Sequence, residues 1–380
     1  MLYFTEKLNA YVTLLATCLM CVANLTGSVV SLNAQALPAN HVYYVYVCAE
    51  SDDEVALVKF GPNGGELVKN IPVGSIPGEI EGPHGIDVSP DGRYWYVSIA
   101  HGVPFGSVQK YETNTDAWIG GTPLGMFPAT LAISSSTGLL FAVNFNLHGP
   151  MEPGTISIVE TETMTEVGRV ETGIMPHGSR FDRQGAKHYS VAMMSDTLVE
   201  LDAFSFEVTR QLKLPATIVE DRSVDKATSV AAHATVQPTW VTSPTPQDKV
   251  YVAGNAVDTI FEVDLKKWEV TSKFEHTGKG PYNIDTSPDG RMLVVTYKRD
   301  ATIGFWDLDT GEELARKTTT RRVPHGVLVT PDGEYAFITL EGIGGEPGTV
   351  EVYHLRTQER VAVVDVGMQA GGIAFWKMDP

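Results

Sequence analysis

From Val42 onward the chain is built of short apolar, β-rich runs separated by turn residues, a layout that predicts strands rather than helices. Ile86 to Ser89 is one such run. It meets Pro90-Asp91-Gly92, where Pro presets φ and Gly accepts a positive φ, and the β-rich run Tyr94-Trp95-Tyr96-Val97 follows. This predicts a hairpin. Runs such as Gly106-Ser107-Val108-Gln109-Lys110-Tyr111 and Thr259-Ile260-Phe261-Glu262-Val263-Asp264 supply a third strand to their own units, and Glu312 to Lys317 a fourth. Four antiparallel strands make one propeller blade.

The unit repeats. Gly82-Pro83-His84-Gly85-Ile86-Asp87-Val88-Ser89-Pro90-Asp91-Gly92-Arg93 aligns with Val323-Pro324-His325-Gly326-Val327-Leu328-Val329-Thr330-Pro331-Asp332-Gly333-Glu334, and a third copy runs from Gly280 to Arg291. Weaker copies begin at Phe127-Pro128-Ala129, Met175-Pro176-His177 and Gln237-Pro238-Thr239. The period is roughly 43 to 48 residues, apart from one longer interval, which is a blade-sized repeat. The ends supply one more blade. Tyr43 to Cys48, Val55 to Phe60 and Glu66 to Pro72 read as second, third and fourth strands without a first, while the chain finishes on the orphan run Gly371-Gly372-Ile373-Ala374-Phe375-Trp376. The expected fold is therefore an all-β, seven-bladed β-propeller of four-stranded antiparallel blades, closed by the C-terminal strand completing the first blade.

These repeats resemble the YVTN-type propellers, whose signature is Pro-x-Gly-Ile-Ala-Val-Ser-Pro-Asp-Gly followed by a Tyr-Val-Thr-Asn strand. The match is close at Pro83 to Val97 and Pro324 to Thr339 and extends over the chain after Val42. Such repeats occur in lactonases, lyases, copper enzymes and plain binding scaffolds, so the resemblance implies the fold and leaves the chemistry to the site.

Composition narrows the partners. A formal charge of −18 lacks the basic footprint that nucleic acid or an anionic membrane surface requires, which leaves a small molecule or an envelope protein. Lys7, an apolar stretch from about Tyr11 to Val30 and Ala34-Gln35-Ala36 resemble a secretory signal peptide over residues 1–36, with residues 37–380 as one propeller domain and no membrane span after cleavage. An uncleaved anchor is the alternative reading of that stretch. The expected location is periplasmic or secreted. Cleavage would leave Cys48 as the one cysteine of the mature chain. It aligns with Ser98, Asn144, Ala192, Ala253, Thr296 and Thr339, a small-residue column that suits packing better than a thiolate ligand.

Histidine is the candidate chemistry. Pro83-His84-Gly85, Pro176-His177-Gly178 and Pro324-His325-Gly326 put an imidazole at the start of the innermost strands of blades 2, 4 and 7, beside one mouth of the channel. Steps of two, three and two round seven blades approach trigonal symmetry, which suits a first-row transition metal such as copper or zinc. Elsewhere this address carries Ala129, Thr239, Tyr282 and approximately Gln369, so the turn itself does not require histidine. His101 and His148 follow second strands and rise at the same face. His233 lies in the insertion at about 216–236 between blades 4 and 5, which reads as a surface loop or as a lid over the mouth. Asp196, Arg299 and Glu341 occupy comparable loops and are candidates for a lid, for supporting the ligands or for touching substrate. The alternative for the three ring histidines is a hydrogen bond to a neighbouring strand end. Asp87 and Asp285, at matching positions, read as a carboxylate pair or as buried groups satisfied by adjacent blades.

The Pro-His-Gly segments at His84 and His325, and more loosely at His177, are similar to the nitrous oxide reductase propeller, which implies a copper-holding mouth. The chain lacks that family's paired histidines and its cysteine-bearing copper domain. The His-Gly step is also similar to virginiamycin-type lyases, whose glutamates have no clear counterpart here, and lactonase propellers share the repeat. The expected function is a metal-binding propeller or copper oxidoreductase, with a non-catalytic envelope scaffold and a lactonase or lyase as alternatives. Among other patterns, Gly-x-Ser-x-Gly, a phosphate loop, a dinucleotide fingerprint and His-Glu-x-x-His are absent from the sequence.

Overall fold

In the computed structural model, which describes residues 39–76, 78–101, 105–147, 149–215 and 236–380, the strands assemble into seven four-stranded antiparallel sheets. The leader-like segment, His148, His233 and all of the insertion except Val236 lie outside the described residues. No helix among the described residues is long and apolar enough to cross a membrane. The innermost strands of blades 2 to 7 are Pro83–Val88, Pro128–Ile133, Pro176–Phe181, Pro238–Val241, Pro281–Thr286 and Pro324–Val329. Blade 1 takes its innermost strand from the other end of the chain. Ala370–Asp379 pairs antiparallel with Val42–Ala49, with Tyr43 opposite Met378 and Val47 opposite Ile373.

The core lies between the blades. Second strands such as Tyr335–Leu340 are buried along their whole length, because each face of a blade meets a neighbour. Outermost strands such as Glu312–Thr318 alternate exposed and half-buried positions. Between blades 1 and 2, Trp95 stacks on Tyr111 at 4.2 Å and on Tyr46 at 5.2 Å. Cys48 is buried in the same cluster, as the packing interpretation expects.

One local device recurs at every entry to the channel. The residue ahead of each innermost strand is left-handed: Gly82, Phe127, Met175, Gln237, Gly280, Val323 and Gln369 have φ between 49° and 67°. The conformation is free for Gly82 and Gly280 and strained for β-branched Val323. The Pro-His-Gly step that follows is a bulge, since pairing shifts register between Pro83 and Ile86 and again between Pro324 and Val327. The glycine N–H freed by the bulge bonds a second-strand hydroxyl, Ser98 Oγ for Gly85 at 2.8 Å and Thr339 Oγ1 for Gly326 at 2.7 Å. Glycine is required because a Cβ at Gly85, Gly178 or Gly326 would stand 2.5–2.9 Å from a carbonyl oxygen of the next blade. The motif is thus a bulge packed edge-on against its neighbour.

Asp87 and Asp285 act as latches between blades. Asp87 accepts from the N–H of Val88 and of Ile133 in blade 3, and Asp285 accepts from Thr286 and from Val329 in blade 7. His188 is a different case. It is fully buried against Phe141 and Phe181, and neither ring nitrogen has a hydrogen-bond partner. A buried polar group left unsatisfied costs about 1–3 kcal/mol. His188→Leu is therefore expected to raise the urea midpoint at unchanged m-value, a gain of about 1–2 kcal/mol. An unchanged or lowered midpoint would show that the imidazole is not a liability.

Candidate functional site at the channel mouth

Seven side-chain addresses ring the mouth: His84, Ala129, His177, Thr239, Tyr282, His325 and, in blade 1, Gly371. The strand register places Ala370 at the proline position, so Gly371 rather than Gln369 completes the ring. Blade 1 therefore contributes no side chain. Across that gap His84 and His325 stand with ring centroids 5.6 Å apart, and His84 lies 6.4 Å from His177. Tyr282 stands between the other two histidines, 5.5 Å from His177 and 4.8 Å from His325.

The neighbouring blades set the imidazole tautomers. His84 Nδ1–H donates to the Ala129 carbonyl at 2.8 Å and His177 Nδ1–H to the Thr239 carbonyl at 3.0 Å, each partner being the ring address of the next blade. This leaves Nε2 as the lone-pair nitrogen in both rings. For His177 that nitrogen accepts the Tyr282 hydroxyl at 3.1 Å. His325 breaks the pattern, for its buried Nδ1 has no partner. Burial pushes His177 down to about 3 and holds His325 well below the ordinary imidazole value, so both are neutral near pH 7.

A second ring of residues sits at the ends of the second strands, where each N–H bonds the carbonyl of the left-handed residue: Glu50, Ala100, Phe145, Met193, Asn255, Lys298 and Glu341. Its charged members come from blades 1, 6 and 7. Lys298 Nζ pairs with Glu341 Oε1 at 2.8 Å and lies 4.0 Å from the Tyr282 ring centroid. Burial works to lower Lys298, but the facing Tyr282, Glu341 and Glu50 outweigh it and keep the ammonium charged. Glu50 is 2.7 Å from His101 Nε2 and 3.9 Å from His84 Nε2, and Glu341 is 3.9 Å from His325 Nε2. The Glu50 hydrogen bond raises His101. Burial tends to raise Glu50, and the two imidazoles and Lys298 bring it below its usual value.

The structure thus gathers His84, His177, His325, His101 and Glu341 at one mouth. Asp196 serves elsewhere: its Oδ1 accepts the N–H groups of Val236 and Gln237 at 2.9 Å, fixing the entry to blade 5. Arg299 turns outward to Asp258. Sequence reasoning missed Glu50, Lys298 and the contact role of Tyr282. No group of three His, Cys, Asp or Glu side chains among the described residues is spaced to grip a metal ion as it stands. The Tyr282 hydroxyl, meanwhile, occupies His177 Nε2.

No family model matches this chain, and no curated protein matches it. Among solved structures it is similar to hydrazine synthase of Kuenenia stuttgartiensis, with a TM-score of 0.60 and 16% identity over 79% of this chain and 93% of that one. At that identity the likeness concerns the fold, and the chain is a seven-bladed β-propeller of four-stranded antiparallel blades.

Proposed function

We propose that the mouth binds one first-row transition-metal ion, copper or zinc, through His84, His177 and His325, in a propeller that works outside the cytoplasm. The observation that carries this is the pair of Nδ1–H bonds from His84 and His177 to the next blade, an arrangement that orients ligating imidazoles. Two further features support it. His177 and His325 are held neutral, the form that binds metal, and His325 keeps a buried nitrogen without a partner. A bound ion would act as a Lewis acid or redox centre toward a small molecule. Glu50, His101, Lys298 and Glu341 would then set the charge around that molecule. The leader-like N-terminus supports the location.

The test is metal stoichiometry after chelation and reloading with copper(II) or zinc, in wild type and in His84→Ala, His177→Ala and His325→Ala. One ion per chain is expected, with affinity falling about 100-fold or more in each variant. Tyr282→Phe should move the other way. Freeing His177 Nε2 from the phenol removes a competing hydrogen bond of about 0.5–1.5 kcal/mol and should tighten binding about 2- to 10-fold. Protein that takes up no stoichiometric ion, or variants that load like wild type, would sink the reading.

The Tyr282 hydroxyl on His177 favours one alternative, a metal-free acid–base site acting on a small lactone, with Lys298 beside the phenol. In that case Tyr282→Phe abolishes lactone turnover and leaves metal content at background.

A further inference from the structure

Four residues beyond the first residue of the innermost strands, the channel carries another charged ring. Asp87, Arg180 and Asp285 hold the same address in blades 2, 4 and 6, with Ala132 and Leu328 at that address in blades 3 and 7. They border a cavity of about 370 Å³, on the far side of the channel from the histidines, whose wall also includes Ser243 and Asp182. Arg180 also borders the smaller space, about 40 Å³, beneath His84 and His325. Of the residues that line both spaces, Arg180 is the charged one.

Arg180 has little to hold it. NH1 donates to the carbonyl of its own neighbour Ser179 at 2.9 Å, and the guanidinium lies 5.1 Å from the Trp240 ring centroid. No ion pair within 4 Å joins it to a described carboxylate, NH1 to Ser179 is the hydrogen bond its guanidinium makes, and the residue lines both cavities. Burial disfavours this guanidinium and Asp285 and Asp87 favour it only in part, without direct hydrogen bonds, so its planar fork still suits a carboxylate. Both oxygens of Asp87 and of Asp285 already accept one backbone N–H, yet each keeps a second lone pair. Asp182 is spent on the turn at Ala186 and Lys187. One open cation thus faces two carboxylates with acceptor capacity across the same cavity.

We propose that this chamber binds a small zwitterion of the free amino-acid class, its carboxylate on Arg180 and its ammonium between Asp87 and Asp285. A simple anion would meet Arg180 but also the two aspartates, and a simple cation the reverse. A molecule carrying both charges satisfies the ring, and a cavity of about 370 Å³ falls in the range of small-molecule sites. The site is separate from the histidine mouth and does not depend on metal there.

Calorimetric titration of the full chain with L-alanine and L-glutamine, alongside acetate and methylammonium, tests it. The amino acids should bind, and both simple ions should bind about tenfold more weakly or worse. Arg180→Gln and Asp285→Asn should each lose about tenfold or more in amino-acid affinity, with Arg180→Lys retaining part of it. His84→Ala should bind like wild type, so loss of metal at the mouth and failure here give different results. Unfolding midpoints near wild type show that the variants fold, and Arg180→Lys covers a failure of Arg180→Gln. No heat with any amino acid, equal affinity in Arg180→Gln, or acetate binding as tightly as alanine would overturn the proposal.

Discussion

Deleting Ala370–Asp379 leaves a chain that does not fold to a closed ring. That strand supplies the pairing partner of Val42–Ala49 and the channel wall of blade 1. With it go the Tyr46–Trp376 contact, the bond from Trp376 Nε1 to the Gly92 carbonyl in blade 2, and the bond from Thr339 to the Gly371 carbonyl. Blades 7 and 2 each lose a neighbour, and Val42–Ala49 becomes an exposed apolar edge. A domain's whole stability is about 5–15 kcal/mol, and burial of one large apolar side chain contributes about 1.5–3 kcal/mol. Losing the strand and both flanking contacts is of the same order as the total. Size-exclusion chromatography should find aggregate in place of the wild-type peak, and urea titration should find no cooperative transition. A truncated chain that unfolds cooperatively at the wild-type midpoint would refute the closure argument. Restoration by a synthetic peptide of residues 368–380 would show that pairing, not covalent continuity, is what the ring needs.

The closure was legible because a blade without a first strand and an orphan strand at the other end are one signal seen twice. The histidine addresses were legible for a related reason: a repeat converts sequence position into angular position. What alignment cannot carry is rotamer and neighbour. It places Tyr282 at the same address as the histidines, but not with its hydroxyl on His177 Nε2 or its ring beside His325. Glu50, Lys298 and Glu341 lie two residues beyond the small-residue column of Cys48, Thr296 and Thr339. Reading that column two places further would have found all three together. Arg180 was hidden for another reason. Its repeat has Arg183-Gln184-Gly185 in place of Pro-Asp-Gly, and without that anchor its alignment with Asp87 and Asp285 is easily passed over. The Asp196 side chain shows the opposite limit. A charged residue in a loop at the right face turned inward to cap a backbone turn, because buried N–H groups at the entry to blade 5 needed an acceptor.

Buried imidazoles should make this protein lose stability as pH falls below about 6.5. His177 and His188 are pushed down to about 3 by burial, and His325 is lowered for the same reason. In the unfolded chain each regains a value near 6.5. Below that pH the unfolded state binds protons that the folded state refuses, so stability falls as pH falls, and the loss continues toward the folded value near 3. His177 and His188 each contribute about 1.4 kcal/mol per pH unit below 6.5, and His325 acts in the same direction. Buried Asp87, pushed up to about 6, and Asp285, also raised, work the other way, because the folded state takes up their protons first, so the net loss is smaller than the histidine contribution alone. Urea midpoints measured from pH 7 to pH 4 should fall. His188→Leu should lift the curve at every pH and remove about 1.4 kcal/mol per pH unit from its acid slope. His325→Gln should reduce the slope by a similar amount from the channel, where the missing proton site is one that the proposed metal would use. A pH dependence that His188→Leu and His325→Gln both leave unchanged would mean that these rings take up protons in the folded state.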